Sequence, residues 1–324
     1  MCTALTLLTK DHYFGRNLDL EYSYKESVTI TPRNYPFHFR KTKTISNHYA
    51  LIGTAYVYDN YPLYYEATNE KGLSMAGLNF PKNADYKELS CDKTNIAPFE
   101  FIPWVLGQCA TISEATALLK TTNLLNECHS NALPLTSLHW IISDRMASIT
   151  VECVKEGLLV YENPIGVLTN NPPFDKQLFQ LNNYMHLTNK QPNNEFAPSL
   201  NLELYSRGMG ALGMPGDWSS QSRFVKVSFL KMNSVCGDSE EESVSQFFHI
   251  LGSVEHTRGC VDMGNGLYEI TIYSCCCNTD KGIYYYKTYE NSQITAVSMH
   301  CEDLESDRLI SYPFIKNQEI RFVN

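Results

Sequence analysis

Residues 1–19 read Met1-Cys2-Thr3-Ala4-Leu5-Thr6-Leu7-Leu8-Thr9-Lys10-Asp11-His12-Tyr13-Phe14-Gly15-Arg16-Asn17-Leu18-Asp19. Two segments, Thr3–Leu8 and Tyr13–Arg16, carry the β-branched, aliphatic and aromatic side chains that suit a pleated, half-buried surface. The polar residues between them read as a short turn, so the pair is expected to form a hairpin that starts at the second residue of the chain. That hairpin folds Arg16 and Asp19 back toward Cys2. A small penultimate residue permits removal of Met1, which leaves Cys2 with both a thiol and a free α-amine, whose usual pKa is about 7.7–8.0. The amine can then act as the base for its own side chain, with no histidine required. A nearby guanidinium favours thiolate over thiol, and a carboxylate can accept hydrogen bonds from the amine and orient it. Position alone equally fits Cys2 as an ordinary strand residue, and Arg16 with Asp19 as a surface ion pair.

Working outward, strands are expected at Ser27–Thr31, Ala50–Tyr56 and Leu73–Asn79, then at Leu138–Ser143, Ser148–Val154, Leu158–Tyr161 and Gly166–Thr169. A last group comprises Tyr268–Ser274, Ile283–Tyr289 and Ile294–Met299. Helices come in two clusters. Phe99–Cys109 follows Pro98, and a capping box, Thr111-Ile112-Ser113-Glu114, precedes Ala115, Leu118 and Leu119 at helical spacing. Later, Ser220–Met232 aligns Phe224, Val227 and Leu230, and Ser239–Val254 aligns Val244, Phe247, Phe248 and Leu251. Strands, two helices, strands, two helices, strands is an order that an α+β fold satisfies with two antiparallel sheets between helix layers. A four-layer αββα sandwich is therefore expected, as one domain over residues 1–324. The strand–helix alternation of a doubly wound parallel fold is absent.

A chain of 324 residues with 43% hydrophobic and 19% charged residues has the balance of a globular protein. Its net charge of −9 and thinly spread basic residues argue against a nucleic-acid partner. No basic stretch followed by an apolar run marks a secretory signal, and no apolar run reaches membrane-spanning length, so no membrane partner is expected. Eleven cysteines without an export signal read as mostly reduced and buried, which places the protein in the cytoplasm. Cys275-Cys276-Cys277 lacks a second pair at zinc spacing, and adjacent strand residues face opposite ways. No H-E-x-x-H is present, and neither a metal nor another cofactor is expected. His139 reads as a core histidine with its hydrogen bonds satisfied.

Asn79 and Asn170 each stand where an apolar strand ends. Asparagine amides and backbone N–H groups at strand ends can point at a developing oxyanion, although asparagine also favours turns for its own reasons. Arg223 opens a helical face and fits either a buried charge near the site or an exposed helix arginine.

Taken together, Met1-Cys2-Thr3, Phe14–Asp19, Asn69-Glu70-Lys71-Gly72-Leu73 with Ala76–Pro81, Gly166–Pro172, and Leu212–Asp217 leading to Ser222-Arg223-Phe224 resemble the choloylglycine hydrolase family, which comprises bile salt hydrolases and penicillin V acylases. The resemblance runs from Met1 to beyond Tyr289 and implies an N-terminal-nucleophile hydrolase fold. It implies Cys2 as nucleophile, Arg16 and Asp19 as supports of the thiolate and amine, Asn79 and Asn170 as oxyanion and substrate contacts, and Arg223 as part of the polar site. Asn79 leans toward the bile salt branch, since penicillin V acylases more often carry Tyr there. The implied reaction is hydrolysis of glycine- and taurine-conjugated bile acids through a Cys2 thioester, by a homotetramer. A sterol needs a broad apolar pocket, expected from the loops Leu18–Tyr24, Ala55–Pro62 and Leu125–Leu135, with Leu18 and Tyr24 among its contacts. Penicillin V acylase, an inactive sterol-binding protein of the same shape, and a histidine-dependent thiol hydrolase are the competing readings.

Overall fold

The computed structural model describes residues 1–324. Six strands form one sheet, in the order Val167–Leu168, Cys2–Leu8, His12–Leu20, Ile270–Asn278, Ile283–Thr288, Thr295–Ser298. Eight form the other, in the order Gly157–Glu162, Ser148–Val154, Leu138–Ser143, Ser74–Asn79, Tyr61–Asn69, Leu51–Tyr58, Ser27–Thr31, Ile310–Pro313. All neighbours in both sheets are antiparallel.

The opening hairpin lies in the middle of the six-stranded sheet. Cys2 pairs with Leu18 and Ala4 with Arg16, while Ile270–Asn278 flanks the other side and sets Cys275 opposite Arg16 and Thr271 opposite Asp19. Gly15 is required by this crowding, because a Cβ there would lie 2.0 Å from the Cys275 carbonyl oxygen. Three consecutive cysteines on that flanking strand are buried and unpaired. They fill the core as small apolar side chains.

Apolar side chains of both sheets, among them Ala4, Phe14, Ile52, Leu78 and Ile141, meet in one cluster. It continues to Phe224, Val227, Phe247 and Leu251 of the helices Ser220–Asn233 and Glu240–Gly252. A second cluster joins Leu51, Met75, Trp140 and Ile142 of the eight-stranded sheet to Phe101, Val105, Ala115 and Leu119 of the helices Phe101–Leu106 and Ile112–Leu119. The layers therefore run helix, sheet, sheet, helix, as the element order implies.

Among the departures from the sequence reading, which also left out the edge strand Ile310–Pro313 and the short strands Thr94–Ile96 and Thr122–Leu124, two elements bear on the site. Tyr61–Asn69 is a strand between Leu51–Tyr58 and Ser74–Asn79, where the sequence reading assigned none. Its Pro62 is a residue that central strands seldom hold. The overlooked signal was Asp59-Asn60, both at positive φ, which forms the two-residue turn of a tight hairpin. Phe174–Gln180 is a short helix that begins after Pro173 with no side-chain cap to announce it.

Candidate active site

Cys2 begins the first strand and is 4% exposed. Its N–H donates to Asn170 Oδ1 at 2.9 Å, and its carbonyl accepts from Arg223 Nη1 at 2.5 Å. Met1 still extends the chain. Its carbonyl accepts from the Asp19 N–H at 2.9 Å, and its amine donates to the Asp19 carbonyl at 2.6 Å and pairs with the Glu269 carboxylate. Burial pushes this amine below its usual value, against the opposing pull of Cys2 and Asp19. The environment at the chain start thus favours a neutral, proton-accepting amine.

Asn170 is held from every side. Its Oδ1 also accepts from Arg223 Nη2 at 2.8 Å, and its Nδ2 donates to the Asn79 carbonyl at 2.7 Å. A guanidinium can only donate and a carbonyl only accept, so these two partners fix which way the amide points. Its N–H donates to Ser220 Oγ at 2.8 Å, and its carbonyl accepts from Gln177 Nε2 at 2.5 Å. One residue earlier, the Thr169 carbonyl accepts from His139 Nε2 at 2.8 Å, and His139 Nδ1 lies 3.0 Å from Glu152 Oε1. His139 is thus a buried histidine with both nitrogens engaged, and it braces the segment that carries Asn170. In the chain that retains Met1, the Asn170 oxygen faces the Cys2 nitrogen and its Nδ2 is engaged by the Asn79 carbonyl.

Arg223 is fully buried, which resolves the alternative of an exposed helix arginine. The start of its helix explains the placement. Ser219 caps the Ser222 N–H, and Asp217 accepts from the Ser219 N–H at 2.9 Å and Ser222 Oγ at 2.6 Å. These hydrogen bonds hold the Asp217 carboxyl down at about 2. Arg223, in the first turn, then points inward to Thr3 Oγ1 at 2.5 Å as well as to Cys2 and Asn170.

Arg16 is also fully buried. Its Nη1 donates to the Gly77 carbonyl at 2.6 Å and the Tyr65 carbonyl at 3.1 Å, its Nε lies 3.8 Å from Glu66 Oε2, and its Nη2 has no partner. Desolvation pulls the guanidinium down, but the acidic side chains around it, Glu66 among them, outweigh this and push Arg16 up, so it stays cationic. Burial pushes the Glu66 carboxyl up, opposed by Arg16 and by the hydroxyls of Tyr273 at 2.7 Å and Tyr284 at 2.6 Å.

Asp19 is buried opposite Met1, one residue past the pairing of Leu18 with Cys2. Its Oδ1 accepts from Thr271 Oγ1 at 2.6 Å, and its Oδ2 has no partner. The sequence reading set the Asp19 carboxylate on the terminal amine. In the chain that retains Met1, the amine instead meets the Asp19 backbone carbonyl and Glu269.

Cys2 and Arg16 lie in the wall of a cavity of about 330 Å³. Asn79 is in the same wall with no protein partner for its carboxamide, and Leu18, Leu20 and Tyr24 continue it. Tyr56 and the stretch Leu133–Leu135 come from the other two expected loops. Phe99 and Ile102 were not expected there, because their segment read as a buried helix. Glu269, Glu66, Gln177 and His256, all buried around the site, were also missed. Glu269, Glu66 and His256 meet their partners only through long-range pairing, which no local pattern marks, whereas Gln177 reaches the Asn170 carbonyl from seven residues away. No three or more His, Cys, Asp or Glu side chains gather in a metal-binding arrangement. No helix is long and apolar enough to cross a membrane.

The family model for linear amide C–N hydrolases of the choloylglycine hydrolase family matches residues 2–312. A bile salt hydrolase/transferase of Lactiplantibacillus plantarum is 55% identical, with each chain covered over 100% of its length. A bile salt hydrolase/transferase of Clostridium perfringens is 40% identical, again over 100% of both. Among solved structures, a variant of the conjugated bile acid hydrolase of Clostridium perfringens superposes with a TM-score of 0.92 at 39% identity, covering 100% of both chains. The penicillin V acylase of Agrobacterium tumefaciens shares the fold, with a TM-score of 0.75 at 18% identity, covering 96% of this chain and 90% of that one.

Proposed function

The chain belongs to the choloylglycine hydrolase family of linear amide C–N hydrolases, and from that premise we propose that it cleaves the amide bond of glycine- and taurine-conjugated bile acids through a thioester on Cys2. The observation that carries this reading is the position of Cys2, in the wall of an apolar cavity beside Arg16 and with its nitrogen on Asn170.

Removal of Met1 turns the Cys2 nitrogen into the chain's amine, with Asn170 Oδ1 as its acceptor. The amine takes the thiol proton, and the buried charge of Arg16 favours the resulting thiolate. Sulfur attacks the amide carbon, and the Asn79 carboxamide is the donor we assign to the developing oxyanion. The protonated amine delivers its proton to the departing glycine or taurine nitrogen, which leaves the steroid acid as a thioester. Water, deprotonated by the same amine, then releases the free acid. Arg223 holds the Cys2 carbonyl and Asn170 in register throughout. The relatives named hydrolase/transferase fit the same intermediate, since an amine in place of water would form a new amide.

Purified protein assayed with glycocholate, taurocholate and penicillin V should hydrolyse both bile salts at least about tenfold faster than penicillin V in kcat/KM, a margin of about 1.4 kcal/mol in transition-state binding. Faster penicillin V cleavage would reassign the chain to the other branch. No hydrolysis of any of the three, from protein whose intact mass shows Met1 removed, would favour the inactive sterol-binding reading.

A cytoplasmic homotetramer is part of the same proposal. Eleven unpaired cysteines suit a reducing compartment. Phe196, Leu200, Leu202, Leu204 and Tyr205 are all exposed on one stretch without helix or strand, an apolar surface that association would cover. Light scattering after gel filtration should give four chain masses, and a single chain mass would end this part of the reading.

A further inference from the structure

His256 is fully buried directly behind the chain start, yet neither ring nitrogen has a hydrogen-bond partner. Its Nε2 lies 3.8 Å from Asp19 Oδ2, and that oxygen is also buried without a partner. The rest of the junction is tied. The His256 N–H donates to Thr271 Oγ1 at 2.9 Å, and that hydroxyl donates to Asp19 Oδ1 at 2.6 Å. Two buried polar atoms facing each other with nothing else to satisfy them is a rare arrangement, and it costs free energy unless they are joined. The charged groups that face the ring are Asp19 from the strand His12–Leu20, Arg223 from the helix Ser220–Asn233 and the amine at the chain start.

We propose that His256 is a positioning residue of the processed enzyme, its Nε2–H donating to Asp19 Oδ2 and keeping that carboxylate aimed at the freed Cys2 amine. The gap exceeds hydrogen-bond length by less than 1 Å. The amine of Met1 faces the ring in the chain described here, and in this proposal its loss lets the two side chains close. Burial pushes the His256 ring down to about 4, so the imidazole is neutral at working pH and offers one N–H without adding a second charge beside Arg223. Asp19 then has a donor on each oxygen, Thr271 and His256, and is held in place to orient the amine.

This inference rests on the reading of Cys2 as nucleophile, and the experiment separates the two. Wild-type protein that fails to hydrolyse glycocholate refutes the reading. Active wild-type protein allows the His256 test. His256→Phe should lower kcat about tenfold with KM changed less than twofold. His256→Gln, which keeps an N–H, should recover most of the rate. In an Asp19→Asn background, His256→Phe should have no further effect beyond twofold. If His256→Phe costs the same factor with Asp19 already changed, or His256→Gln recovers none of the rate, the proposal is overturned. Should His256→Phe not fold, nitrogen-15 NMR of the processed wild-type ring decides: the proton must be on Nε2, and a ring protonated on Nδ1 alone would refute it.

Discussion

Cys2→Ala protein should hydrolyse glycocholate at least about 10⁴-fold more slowly than wild type in kcat/KM, the scale of removing a covalent nucleophile while leaving the surrounding donors in place. Its Tm should change by only a few degrees, since losing one sulfur from a packed site costs about 1 kcal/mol. Ala at the second position still permits removal of Met1, so intact mass can verify that the variant has the same chain start as wild type. Cys2→Ser is the sharper control. It keeps the amine, the hydrogen bond to Asn170 and the grip of Arg223, yet presents a hydroxyl far less acidic than a thiol. A serine chain as active as wild type would show that thiolate character is not what the site uses. An alanine chain within tenfold of wild type would move the nucleophile elsewhere, and Cys128, the other cysteine in the cavity wall, would be the first to test.

What the sequence made legible follows from the range of the interactions involved. The opening hairpin could be read because its pairing is local: Thr3–Leu8 meets the next strand across three polar residues, and this alone brings Arg16 level with Ala4 and Asp19 level with Met1. The helix bearing Arg223 was readable from its apolar spacing, but the burial of Arg223 was not, because it depends on Asp217 and Ser219 fixing the first turn against the Asn170 segment. Asn79 and Asn170 were found as strand-end asparagines. The direction of the Asn170 amide was beyond local reading, since Arg223 and the Asn79 carbonyl impose it from 53 and 91 residues away. Glu66 shows the hardest case. It sits on a strand that the sequence reading did not assign, and its partners Tyr273 and Tyr284 are more than 200 residues distant. Polar residues that serve a site break the apolar pattern by which strands are recognised, and this strand was among those overlooked.

Arg16→Met tests that overlooked pairing and carries the second large effect. The substitution keeps much of the side-chain volume but removes the charge beside Cys2, the donors to the Gly77 and Tyr65 carbonyls, and the counter-charge of Glu66. Breaking a buried pair by removing one partner typically costs about 3–5 kcal/mol, and glycocholate hydrolysis should fall by about 10²-fold or more as the thiolate loses its support. The stability loss should depend on pH in a defined direction. Burial already pushes the Glu66 carboxyl up, and Arg16 is the strongest influence holding it down. Without Arg16 the folded-state value rises further while the unfolded value stays ordinary. A group raised in the folded state contributes its stability below the unfolded value and loses it as pH climbs through the folded value. Urea unfolding should therefore show Arg16→Met closer to wild type at pH 5 than at pH 8, by on the order of 1–3 kcal/mol. Adding Glu66→Gln removes the titrating group, so the double variant should regain stability at pH 8 and lose the pH dependence, yet remain as inactive as Arg16→Met. If the double variant recovers hydrolysis together with stability, Arg16 serves only to balance Glu66, and the thiolate does not depend on it. Recovery of stability alone assigns the two functions of Arg16 to different atoms: Nε facing Glu66 across 3.8 Å, and the unpartnered Nη2 left for the reacting groups.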